Sequence, residues 1–156
     1  MHRVLCALVL SISLALGLSI RHAGATPDRA GGRYALFAGT WTGHGFRLEV
    51  TATGTAYAIY RTYVWCGAGQ HAGCDRLIGN QLYAGGLWAA SLHTPEGTSV
   101  SGVIAASADA SLDGTAVHLV RAPHDLLQLT WGVPGHRIQM PLCGPHALAS
   151  TRACGA

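Results

Sequence analysis

The chain has 156 residues, 49% of them hydrophobic, and its ten basic side chains are all Arg, set against seven acidic ones. With Arg3 and Arg21 lost in an export signal, the rest is close to neutral. That leaves no basic patch for nucleic acid or an anionic membrane. Repeats and low-complexity tracts are absent, and the length suits one domain with a real core.

Met1-His2-Arg3 is a basic start, Val4 to Ile20 an apolar run, and Ala23-Gly24-Ala25 a small-residue cleavage box. Together they read as a signal peptide over 1–25, cleaved after Ala25, which implies a secreted, extracellular protein. A retained anchor is the alternative, but the run spans a bilayer only marginally and ends in that box. Residues 26–33, with Pro27, Asp28 and Gly31-Gly32, form a flexible lead-in, and a single β domain covers 34–156.

The most strongly patterned stretch is Phe37 to Trp65. Phe46, Leu48 and Val50 alternate with Arg47, Glu49 and Thr51, the period of a strand with one face buried. Gly54 supplies the turn of a β-hairpin, in one of two registers. A two-residue loop puts Tyr57, Ile59, Arg61 and Tyr63 on the face of Leu48 and Val50, whereas a three-residue loop presents Ala58, Tyr60 and Thr62. The first register aims Arg61 at an apolar face, so its guanidinium needs the open end of the sheet, a carboxylate or a ligand.

Further strand-like runs follow at 77–83, 87–93, 98–107, 115–121, 125–131 and 136–140. Gly85-Gly86, Pro95-Glu96-Gly97, Asp113-Gly114, Pro123 and Pro134-Gly135 separate them as turns. About eight strands with short turns and no helical period predict an all-β fold, an antiparallel up-and-down barrel or a sandwich. Cys66, Cys74, Cys143 and Cys154 remain after export. Their even count predicts two disulfides, with the local pairs 66–74 and 143–154 favoured over zinc, whose close Cys spacing is missing. Each local loop would add about 2–3 kcal/mol in the chain-entropy account.

Phe37-Ala38-Gly39-Thr40-Trp41, followed by strand, Gly turn and strand, resembles the opening of the calycin superfamily, the lipocalin-like and avidin-like barrels. The resemblance implies a ligand cavity and a structural Trp41 packed against an Arg from the last strand, a place only Arg137 occupies. Where avidins carry an Asn and a Ser for biotin, this chain reads Thr42-Gly43-His44-Gly45-Phe46, so biotin is not implied. The Gly-Thr-Trp-x-Gly-His and Arg-Thr-Tyr words with the Cys-Gly-Ala ending also resemble small secreted actinobacterial proteins of unknown function. That likeness implies a compartment and a compact β domain, but no chemistry.

No Gly-x-Ser-x-Gly elbow, metal-spaced His pair or paired carboxylates stand out, and no cofactor is implied. The reading is therefore a non-catalytic module that binds an unknown small ligand or an extracellular or cell-envelope partner. His44, Arg61 and Tyr63 are its candidate ligand-binding residues. Neither nucleic acid nor, after signal cleavage, a membrane is expected as a partner. The alternative is a secreted hydrolase or metalloprotein built on His44 and His136, the ends of the first and last strands. A third expectation concerns Tyr60, Tyr63 and Trp65, which form either core or an exposed aromatic platform.

Overall fold

A computed structural model describes residues 32–67, 73–147 and 154–155. The expected signal peptide, most of the expected lead-in and His71 lie outside these residues.

Ten strands form: β1 (Gly39–Gly43), β2 (Phe46–Val50), β3 (Thr55–Tyr60), β4 (Arg76–Ile78), β5 (Gln81–Tyr83), β6 (Gly86–Leu92), β7 (Ser99–Ser107), β8 (Ala116–Ala122), β9 (Leu126–Trp131) and β10 (Ile138–Cys143). Eight of them close a barrel in the order β1-β10-β9-β8-β7-β6-β3-β2, every neighbour antiparallel, which decides for the barrel over the sandwich. The closing seam is short, with Thr42 facing Cys143. β4 and β5 stand apart as a two-stranded hairpin between β3 and β6. The single strand expected at 77–83 is thus two strands. Gly79-Asn80, with Gly79 at φ +61°, turns the chain in its middle.

The opening hairpin takes the three-residue register. Val50 faces Ala56, the Thr51 N–H donates to the Thr55 carbonyl, and Ala52-Thr53-Gly54 form the loop. Gly54 sits at φ +87°, and a Cβ there would overlap the Tyr34 ring. One extra loop residue reverses the faces of β3, so Ala56 and Ala58 point inward while Tyr57 and Ile59 are exposed. Packing explains the choice. Ala58 faces Trp88 across the ladder, and a tyrosine ring at that level would compete with the indole for the barrel axis.

Side chains fill the interior, as is usual for the width that eight strands enclose. Leu48, Trp88, Ile104, Val117, Leu119, Leu127, Leu129 and Leu142 have no exposed surface. At the end where β2 begins and β3 stops, Phe46 stacks on Tyr60 and packs at 5.1 Å against Trp131. Among the described residues the Trp88 indole N–H is the buried side-chain donor without an acceptor, which leaves the interior almost wholly apolar. Gly85-Gly86 does not act as a turn. A Cβ on Gly86 would strike the Tyr60 ring, and one on Gly85 the backbone of Cys74.

The opposite end is closed by the segment before β1. The Tyr34 hydroxyl donates to the Leu92 carbonyl at 3.0 Å, Phe37 is fully buried, and the Trp41 indole donates to the Phe37 carbonyl at 2.7 Å. Trp41 is thus core, as its motif suggests. The cation over its ring is Arg121 of β8, at 4.6 Å, and not Arg137. Arg137 is exposed just before Ile138, which pairs with Trp131 at the other end of the barrel. Arg121 also holds Asp125 at 3.1 Å, and Asp125 in turn accepts the His146 N–H, fastening the chain after β10. Cys143 and Cys154 are disulfide-bonded after β10, as are Cys66 and Cys74 between β3 and β6.

Trp41→Ala is expected to cost about 3–5 kcal/mol in urea unfolding. Arg121→Ala should cost about 1–2 kcal/mol through the lost ring contact, whereas Arg137→Ala should stay within about 0.5 kcal/mol. Equal effects of the two Arg variants would refute the assignment of the closed end.

Candidate functional site

The connection from β3 to β6, described over residues 61–67 and 73–85, rises from the barrel end that carries Phe46 and Tyr60 and includes the Cys66–Cys74 disulfide and the β4–β5 hairpin. Its centre is Asp75, whose side chain is completely buried. The carboxylate accepts the N–H groups of Gly85 (2.8 Å), Thr62 (3.0 Å) and Tyr63 (3.1 Å), the Thr62 hydroxyl (3.2 Å) and Arg61 Nε (3.2 Å). Burial alone would raise its pKa. The donors, Gly85 first, then Thr62, Tyr63 and Arg61, overcome that and hold the group well below the usual carboxylate range. Asp75 is therefore a permanent anion around which the connection is folded. Its backbone adds two more ties, to the Val64 carbonyl and from the Cys66 N–H.

Arg61 accordingly does not meet an apolar face. It leaves the barrel at the end of β3, pairs with Asp75, and remains partly exposed. Its guanidinium carbon lies 4.6 Å from the Tyr63 ring centre and 5.9 Å from that of Trp65, both within cation–π range. Tyr63 adopts φ +59°, a left-handed conformation that costs a non-glycine residue about 1 kcal/mol or more. The Tyr63 N–H bond to Asp75 holds it there. The ring also runs parallel to His44, interplanar angle 4° and centroids 6.3 Å apart. Gly45 permits this, because a Cβ would sit 2.8 Å from the Tyr63 hydroxyl. The three candidates His44, Arg61 and Tyr63 are thus brought together, in a surface row with Trp65.

The expected platform divides. Tyr63 and Trp65 are 55% and 54% exposed, while Tyr60 turns into the barrel. Burial, aided by the negative charge of Asp109, raises the Tyr60 hydroxyl above its ordinary pKa, so it stays a neutral phenol rather than a nucleophile. Beside the row, Cys66, Cys74, Arg76, Gly85 and Leu87 line a cavity of about 220 Å³.

His44 and His136 are not drawn together by the sheet. Thr42 lies opposite Cys143, a register that continues to set His44 near Pro141, five residues from His136. At about 3.3 Å per residue, that is a separation of roughly 16 Å along the strand. Among the described residues no group of three His, Cys, Asp or Glu side chains is arranged to hold a metal ion. His93 and His118 do line a second, polar cavity of about 160 Å³ with Glu96, Ser99 and Ser101, on the outside of β6–β8.

Asp75 was missed because a lone acid after a cysteine carries no pattern. Its burial depends on donors from residues on both sides of the disulfide loop. The hairpin had a usable signal in Gly79-Asn80, between two short apolar pairs.

Replacing Asp75 with Asn is expected to cost about 3 kcal/mol or more, since it leaves Arg61 and the backbone donors without their anion. A carboxylate with a depressed folded pKa stabilises fully above its unfolded value near 3.9 and loses that contribution as pH falls below it. Unfolding free energies measured between pH 7 and pH 3 should therefore fall more steeply for the native chain than for Asp75→Asn. Parallel curves would contradict the role given to Asp75.

No family model, no curated protein and no solved structure matches this chain.

Proposed function

We propose that the protein is an exported, non-catalytic β-barrel module that binds an extracellular or cell-envelope partner through the surface built on residues 61–85. The apolar leader and the two disulfides support export, since such bridges persist in oxidising compartments. The observation that carries the binding role is the Arg61 guanidinium set between Tyr63 and Trp65, held on a buried Asp75 while both rings stay in water. Exposed aromatic rings fixed in place lose little entropy on contact, and Trp, Tyr and Arg are the side chains on which binding energy concentrates. A filled interior directs recognition outward, to this face.

The test uses protein recovered from the medium of the producing cells, mixed with a washed envelope fraction of the same cells and pelleted. Tyr63→Ala combined with Trp65→Ala should weaken association by about tenfold or more, the loss expected of two anchor rings. The fold should be unchanged, because neither ring is core. A double variant that pellets like the native protein would overturn the proposal.

A further inference from the structure

The β4–β5 hairpin is exposed on every residue of both strands. Leu77 pairs with Leu82 on one of its faces; Ile78 and Tyr83 lie on the other, where Arg76 approaches the Tyr83 ring at 5.9 Å. Both faces thus carry exposed apolar side chains, the second together with Arg76 and Gln81, and the exposed Val64 and Trp65 lie next to the hairpin through the Trp65–Asp75 bridge. A two-stranded hairpin gains little stability by itself, and contiguous exposed apolar surface of this kind marks a contact site. A rigid protein or polysaccharide surface would cover one face of the hairpin. A fluid interface surrounds both.

The exposed cation of the connection is Arg76, with Arg61 partly exposed beside it, and its single acid, Asp75, is buried and paired. Asp109 and Asp113 belong to the neighbouring β7–β8 connection, whose Ala108 lines the same cavity as Arg76, and they accept hydrogen bonds from Ser111 and Ser107. No helix among the described residues is long and apolar enough to cross a membrane, so the contact considered is with a surface.

We infer that the partner of this surface is a lipid bilayer with anionic headgroups, which deepens the binding reading above and rests on it. Leu77, Ile78 and Leu82 enter the boundary between headgroups and acyl chains. Trp65 and Tyr83 occupy the headgroup level, where amphipathic rings concentrate, and Arg76 faces the lipid phosphates. Penetration is shallow, because the outer edges of the two strands keep unpaired backbone groups that hydrocarbon would not satisfy. The balanced charge of the whole chain concealed this local arrangement.

Protein recovered from the medium, its N-terminus established by intact mass, is mixed with vesicles of phosphatidylcholine alone or with an equal part of phosphatidylglycerol. Trp41, Trp88 and Trp131 are buried, so a change in indole emission reports Trp65. Sedimentation with the anionic vesicles and a blue shift of emission are expected. Leu77→Ser with Ile78→Ser should lower partitioning about tenfold or more, and Arg76→Gln should lower it several-fold on anionic vesicles only, about the effect of one cation at such a surface. Failure to bind either vesicle, or a Leu77/Ile78 variant that binds as well as the native chain, would overturn the lipid assignment. If envelope pelleting still depends on Tyr63 and Trp65 while vesicles are ignored, the lipid assignment falls and the binding module stands. Self-association through the hairpin in place of vesicle binding would likewise refute it.

Discussion

A carboxylate taken out of water must be given donors, and the connection between β3 and β6 is folded around that requirement. Asp75 collects five hydrogen bonds from Arg61, Thr62, Tyr63 and Gly85, residues up to fourteen positions away. Three come from backbone N–H groups, so the anion fixes main chain as well as side chain. The left-handed turn at Tyr63, the seating of Arg61 against two rings and the entry of β6 at Gly85 all follow from one buried charge. A glycine is required at that entry because its Cα lies against the Cys74 backbone. The adjacent disulfide shortens the loop whose ends Asp75 joins, so covalent and ionic constraints act on the same segment.

The two ends of the barrel obey different physics. The closed end is an apolar plug: Phe37 and Trp41 are buried by the segment before β1, and the Arg121 guanidinium sits over the indole while its charge is met by Asp125. The other end is filled internally by Phe46, Tyr60 and Trp131, and the connection above it carries its rings outward. Large apolar side chains left in water reduce solubility and contribute nothing to the core. A connection that exposes them, yet holds its backbone on a buried ion pair, has the character of a contact surface. The lipid assignment follows from this contrast, since the hairpin offers apolar side chains in opposite directions.

Much of the scaffold was legible in the residues. The alternation of Phe46, Leu48 and Val50 with charged neighbours is a local consequence of the strand period, and the structure buries those three. Short-range pairing of the cysteines also held, because each pair closes a loop that a hairpin-rich chain folds anyway. The β3 register was open, since one loop residue decides which face of a strand turns inward and the chain near Gly54 admits either turn. Arg137 was a misplaced expectation for the same kind of reason. Position along a strand depends on barrel stagger, and stagger sets Arg121 over Trp41.

By itself, then, the sequence determined the class of fold, the approximate strand number and the cysteine pairs, all properties written in local period, turn residues and short loops. Only the tertiary structure decided that the sheet closes, that its interior is filled, and that His44, Arg61, Tyr63 and Trp65 share one surface around Asp75. Those outcomes depend on contacts between residues far apart in the chain, where a single register step or one buried charge selects among arrangements that are locally equivalent.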